Sequence, residues 1–199
     1  AIQSLQGKNY FSFSPEKVVQ ESNRHKIKKV KPINHPALKG YLQSRNIPLK
    51  VGQTYCHEIW HEWNDKPYFS LGLKNDAGGW ELRNKYHKSS TSPKTITSIA
   101  RGCPRLLIVE GMFDLLSLEV LDEQLTISSD LMVLNSLGNI EKIKGSFKAY
   151  PEVFLYLDND KAGKAAAKNL LSRFKHFTDR SVSFRNFKDL NEKLQHNND

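Results

Sequence analysis

Two hydrophobic periods divide the chain. From His35 to Asn46, Leu38, Tyr41 and Leu42 recur at helical spacing, and Ile47-Pro48 ends the run. Tyr55 to Trp63 and Tyr68 to Lys74 then read as strands, joined by a turn at Asn64-Asp65-Lys66-Pro67. A second turn, Asp76-Ala77-Gly78-Gly79, leads into Trp80-Glu81-Leu82-Arg83. This half predicts a small, mainly antiparallel sheet preceded by a helix. Ahead of it, residues 1–34 are polar, and His25 to Pro32 reads as an extended basic arm or linker.

The second half changes period. Arg105 to Val109, Leu131 to Leu134, Val153 to Leu157 and Val182 to Phe184 read as short buried strands. Helical patterns alternate with them: Met112 to Leu121, Ile140 to Phe147, Asp160 to Phe177 and Leu190 to Leu194. Along the long third helix, Ala162, Ala166, Leu170, Phe174 and Phe177 fall on one face. Strands alternating with helices predict a parallel sheet covered on both faces. The expected class is α/β (α+β overall), with an arm at 1–34, a basic subdomain at 35–103 and the parallel-sheet domain at 104–199.

Composition narrows the function. With 199 residues, 38% hydrophobic and 26% charged, the chain has the make-up of a globular protein. No apolar run approaches the ~20 residues that span a bilayer, so no membrane role is expected. The chain starts at Ala1 with a polar segment that lacks a signal-peptide core, and it reads as a piece of a longer protein. Cys56 and Cys103 are too few for a four-cysteine zinc site or a disulfide framework, and a reducing cytoplasm is the expected compartment. The net charge is +9 and lies entirely in residues 1–100, where 16 Lys/Arg face 7 Asp/Glu; residues 101–199 hold 14 of each. A basic half beside a neutral, carboxylate-bearing half suits a polyanion such as nucleic acid.

Ligands of an open parallel sheet bind at the carboxyl ends of its strands. The first strand runs into Glu110-Gly111, with Asp114 one turn further on. The third ends in Asp158-Asn159-Asp160, and the fourth is followed by Lys188-Asp189-Leu190-Asn191-Glu192. Carboxylates gathered at one edge suit Mg²⁺ or Mn²⁺. In an extended Asp158-x-Asp160 segment both side chains leave one face and could share a cation. Gly111 leaves room for a close approach beside Glu110. Helix capping alone would also account for Asp160 or Asp189, and Asp114 would serve equally as a solvated helix residue.

These residues resemble the Toprim domain, the metal-binding fold shared by bacterial primases, topoisomerases, small nucleases and recombination-repair proteins. The resemblance rests on Glu110-Gly111-x-x-Asp114, Asn135-Ser136-Leu137-Gly138 and Asp158-x-Asp160-x-Ala162-Gly163, in that order, over about residues 104–195. Upstream, His35 to Ile47 is similar to the helix that opens the bacterial primase catalytic core. Lys88 to Thr95 is similar to that family's Lys-x-x-x-Ser-Pro-x-Thr segment. The combination is most similar to primase-like proteins of Bacteroidetes mobile elements. Here Asn159 stands in place of the family's Gly, and the last acidic motif keeps only Asp189 and Glu192.

The resemblance implies metal-dependent, template-directed RNA primer synthesis from nucleoside triphosphates on single-stranded DNA. It implies Glu110, Asp158 and Asp160 as catalytic residues, and Mg²⁺ (or Mn²⁺) on Glu110, Asp158, Asp160, Asp189 and Asp114. It implies Arg83, Lys88, Lys94 and Arg101 as contacts to triphosphate or template. A replicative helicase, or a zinc-binding domain that these residues do not contain, would be its partner. A metal-dependent nuclease on the same fold, or a DNA-binding module with a vestigial site, are the alternatives.

Overall fold

In the computed structural model, which describes residues 25–143 and 145–196, the first half builds one antiparallel sheet. Strand β1 (Lys26–Lys31) is followed by helices α1 (Pro36–Ser44) and α2 (Leu49–Tyr55). Strands β2 (His57–Trp63), β3 (Lys66–Lys74), β4 (Trp80–Arg83) and β5 (Lys88–Ser90) then continue the sheet in chain order. Residues 1–24 of the expected arm lie outside the described residues. The segment Lys26–Lys31 is extended, as expected, but it is a paired edge strand rather than a free linker, with Val30 opposite Ile59 and Lys31 opposite Glu58.

Glu58 fixes that corner. It is fully buried, and its Oε2 accepts from the backbone N–H groups of Asn34 at 2.9 Å and His35 at 2.7 Å. Oε1 accepts from the Trp60 indole at 2.6 Å and pairs with Lys31 Nζ at 3.0 Å. Burial pushes the carboxyl up, but these donors outweigh it and hold it at about 2. Its contribution is therefore complete above the ordinary value of 4.5 and is lost as the pH falls toward about 2. Glu58→Gln should cost about 2 kcal/mol at neutral pH, the weight of charge-assisted hydrogen bonds. In thermal melts the gap to the parent should close through that acid window.

His35 caps α1, its Nδ1 accepting from Ala37 N–H at 3.1 Å, and Pro36 opens the helix. The short α2 is absent from the sequence pattern. Val51, Gly52 and Thr54 are weak helix formers, so packing rather than propensity makes this helix.

The second sheet takes the order β10-β9-β7-β8-β6. Its strands are β6 (Thr97–Ile99), β7 (Arg105–Val109), β8 (Asp130–Val133), β9 (Glu152–Tyr156) and β10 (Phe177–Asp179). All neighbours run parallel except β6, which lies antiparallel beside β8. The connections are α3 (Met112–Leu121), α4 (Glu123–Ile127), α5 (Ile140–Ile143) and α6 (Lys161–Arg173), and α7 (Leu190–His196) closes the fold. This is the expected α/β architecture, an antiparallel sheet followed by a mainly parallel one flanked by helices. β6, which lies before residue 104, is nonetheless a strand of the second sheet.

Three elements differ from the sequence expectation. The helix expected over 160–177 stops at Arg173; Phe174 is already extended, and Phe177 opens β10. Phe174 and Phe177 stack at 4.9 Å, so their helical spacing served a ring contact rather than a helix face. The fourth strand is accordingly Phe177–Asp179, and Ser181–Phe184, where a strand was expected, is a 3-10 turn. The helix expected over 140–147 divides into α5 and a 3-10 turn at Ser146–Ala149.

Strand alternation sends β7 to two cores. Leu106 and Ile108 pack with Leu155, Leu170, Phe147 and Phe177 on the α6 side. Leu107 and Val109 pack with Leu115, Leu116 and Phe154 on the α3 side. That second core continues without a break into Ile33, Leu38, Leu42, Ile47, Leu71 and Leu73 of the first half. One apolar body therefore holds both sheets and sets the cleft between them.

Candidate active site

The carboxyl ends of β7 and β9 meet the first half across an open cleft of about 380 Å³. Glu110, directly after β7, lies on its wall with Asp114, Asp158 and Asp189. Asp114 is buried in the first turn of α3, and its Oδ2 accepts from Gly111 N–H at 2.9 Å. Past β8, Asn135 donates its backbone N–H to Glu110 O at 3.0 Å, in a left-handed conformation with φ 59°. Its side-chain amide donates to Thr95 O at 2.8 Å, which sets the edge of the cleft.

Asn159 brings in the last carboxylate. Its backbone N–H donates to Lys188 O at 2.7 Å. Its side-chain amide donates to Phe184 O and Phe187 O, each at 3.0 Å, and more weakly to Ser181 O at 3.4 Å. This one side chain ties the segment before α7 to the end of β9. Asp189 accepts from Glu192 N–H at 2.8 Å and so caps α7, and it also lines the cleft.

The carboxylates raise one another's pKa. Asp158 is pushed up from 3.8 to about 7, first by burial and then by Glu110 and Asp189. Burial also raises Asp114 and Glu110, with Asp158 and Asp189 adding to the first and Asp160 to the second. Glu110 Oε2 is buried without a hydrogen-bond partner. No three His, Cys, Asp or Glu side chains among the described residues already form a metal-binding cluster. The donor set nevertheless fits Mg²⁺, which keeps several waters and takes one or two carboxylates plus substrate phosphates. An orphaned carboxylate oxygen in a self-repelling cluster is where such an ion is favoured.

Asp160 stands apart from the cleft wall. It is exposed, and its Oδ1 caps α6 by accepting from Ala162 and Gly163 N–H, both at 2.9 Å. Its charge still raises Glu110 and Asp158.

The opposite wall is basic. Arg83 and Lys88 line the cleft, and Lys94 lines an adjoining pocket that also contains Arg83, Lys88 and Asn135. Arg83 is buried; it pairs with Glu81 at 3.4 Å and donates to Leu82 O at 2.9 Å and Ser89 O at 3.1 Å. Much of its donor capacity is thus spent inside the protein. Arg101 is not brought to the cleft. It lies at the amino end of β7 and β8, donating its backbone N–H to Asp130 and its guanidinium to Ser129 O and Tyr55 Oη.

Several cleft residues were not among the expected site residues: Tyr41, Arg45, Lys85, Phe113, Lys188 and His87, the last of which reads from sequence as a surface histidine. Arg45 lies over the Phe113 ring at 4.7 Å, Tyr41 meets the same ring edge-on at 5.3 Å, and Arg45 Nε is buried without a partner. The signal available for Arg45 was its place at the end of the α1 pattern. Lys188 stands directly before Asp189.

Two family descriptions match the chain: a Toprim-like family over residues 107–194, and a domain of unknown function (DUF8464) over residues 27–92. No curated protein matches. Among solved structures, the primase fragment of the bacteriophage T7 primase-helicase protein is 18% identical, with a TM-score of 0.61 over 79% of this chain and 70% of that one. A chain of the T7 lagging-strand DNA polymerase assembly is 15% identical, with a TM-score of 0.54 over 75% of this chain and 84% of that one. In that assembly the primase domains of two gp4 subunits are bound to an RNA/DNA hybrid and dTTP. The chain thus shares the fold of that primase fragment, and its second half matches a Toprim-like family over residues 107–194.

Proposed function

We propose that this chain is a primase catalytic core, which joins ribonucleotides on a single-stranded DNA template in a metal-dependent reaction. One observation carries the reading: Glu110, Asp114, Asp158 and Asp189 face Arg45, Lys85 and Lys88 across a single cleft. These carboxylates would hold a divalent cation, which when bound would supply Lewis-acid activation and neutralise charge on the reacting phosphate. The basic wall holds the triphosphate, as Arg and Lys do for developing phosphoryl charge. Glu110 Oε2, buried without a hydrogen-bond partner, would take a metal or the proton of the attacking 3′-hydroxyl. Asp158, Asp189 and Asp114 would hold the cation with Glu110, and Asp160 would contribute through its charge. Lys94 continues the basic wall toward the template. The mobile-element setting, a helicase or zinc-domain partner and a reducing cytoplasm belong to the same proposal.

The test is a synthesis assay with a mixed-sequence, end-labelled single strand, labelled ribonucleotides and Mg²⁺ or Mn²⁺, beside Asp158→Ala. Short labelled products that vanish in the variant support the reading. Shortened template without new products would assign the cleft to a nuclease. Neither product from the parent would overturn catalysis by this chain.

A further inference from the structure

The outer face of the first sheet carries a row of rings that ends at the cleft. Trp63 stacks on His25 at 5.7 Å and 22°, and lies 6.2 Å from Tyr68. Tyr68 stacks on His61 at 5.8 Å and 18°, and meets His87 edge-on at 5.6 Å. His87 and its neighbour Tyr86 belong to the cleft wall itself. Asn84 Oδ1 accepts from the backbone N–H of both at 2.9 Å, which fixes the turn that presents them.

Trp63, His87 and Tyr86 are exposed, Tyr68 is half-buried, and positive charge flanks them. Trp63 is 37% accessible and Tyr86 is 79% accessible. Lys66 pairs in register with Trp63, Lys85 lies 5.9 Å from the Tyr86 ring, and the charge of Lys94 reaches His25. His61 is buried beneath Tyr68, where burial lowers its pKa to about 4, with His25 adding to the effect, so at neutral pH it supports the Tyr68 ring as an uncharged neighbour. Contiguous exposed rings on a soluble surface mark a binding face. Rings interleaved with lysines fit unpaired bases on a phosphate backbone, since bases stack on aromatics while cations follow the phosphates. A duplex would present no free base faces to them.

We infer that Trp63, Tyr68, His87 and Tyr86 form a track that binds single-stranded DNA and leads it into the cleft. The assignment of that strand as template rests on the proposed primase function; the track itself rests on the ring geometry. Neither Trp63 nor Tyr86 is part of a core, so their variants fold.

The test is fluorescence anisotropy with a labelled DNA strand of roughly 12 nucleotides, within the span of single-strand binders, measured without metal or nucleotides. Trp63→Ala and Tyr86→Ala should each weaken binding about tenfold, the effect of losing one stacked base. Trp63→Phe should bind like the parent, and a duplex of the same sequence should show no difference among the proteins. Parent-like binding by both Ala variants, an equal loss on duplex, or no binding by the parent overturns the track. Tighter binding of the matching RNA strand overturns its assignment to a DNA template. A parent that binds through these rings but makes no primers retains the track and overturns the primase reading.

Discussion

Asp158→Asn should melt higher than the parent in chelator near pH 8, and Mg²⁺ should then no longer stabilise it. Burial, Glu110 and Asp189 hold the Asp158 carboxyl at about 7, against its ordinary 3.8. A raised carboxyl pKa means that the fold favours the protonated form. That support is complete below 3.8 and is lost as the pH rises through about 7. Near pH 8 the parent carries the whole cost of an ionised group among like charges, and the amide carries none. The full shift corresponds to ~4 kcal/mol at 1.36 kcal/mol per unit. Relaxation of a half-buried site leaves on the order of 1–2 kcal/mol, or roughly 2–8 °C for a chain of this size. The difference should shrink toward pH 4, where both side chains are neutral. Saturating Mg²⁺ should raise the melting temperature of the parent by mass action and leave the variant where it was. Primer synthesis should fall at least about a hundredfold, in line with loss of one preorganised electrostatic group. A variant no more stable than the parent in chelator would show that burial and the neighbouring carboxylates do not disfavour ionised Asp158.

Gly163→Ala should damage both stability and the site from outside the cleft. A Cβ at Gly163 would lie 2.1 Å from the carbonyl oxygen of Asp158, and 3.0 and 3.1 Å from its carbonyl carbon and nitrogen. Backbone atoms cannot rotate aside as a side chain can, so α6 or Asp158 must move. Overpacking of this kind costs about 1–3 kcal/mol or more, and the better helix propensity of alanine offsets less than about 1 kcal/mol. The net loss expected in denaturant melts is about 2 kcal/mol. A displacement near 1 Å at a reacting group is worth roughly a hundredfold in rate, so synthesis should fall more than stability predicts. Gly40→Ala is the control. It lies in α1 with nothing within 4 Å of the added methyl, and should stabilise by about 0.5–1 kcal/mol. Equal behaviour of the two variants would rule out the close approach of α6 to Asp158.

The placement of Glu110 and Asp158 was legible because each follows an apolar run long enough to be a buried strand. The strand-end rule then puts both at the same edge. The same rule carried information about Arg101. It precedes β7, and five residues at ~3.3 Å each separate the two ends of that strand by roughly 17 Å, so Arg101 and Glu110 occupy opposite ends. Proximity in sequence concealed this. Asn159 was visible only as a departure from a motif. Its function depends on carbonyls 22 to 28 residues away, which no local pattern encodes. Arg45 was obscured for the same kind of reason: α1 reaches the cleft through packing of Tyr41 on Phe113, a contact between the two halves. The short β10 failed to register because three residues cannot display an alternation against a continuing helical spacing.

The core shared by the two sheets limits how this protein can be divided. Ile33, Leu38, Leu42, Leu71 and Leu73 lie in the same apolar body as Leu107, Leu115 and Phe154. A cut at 103/104 would open that body on both sides. It would also strip β6 from β8 and take away the amides of Arg101 and Cys103 that Asp130 accepts at 2.8 and 3.0 Å. Expressed alone, residues 104–199 should therefore melt well below the whole chain, because the cut exposes apolar side chains on both sides and unpairs an edge strand.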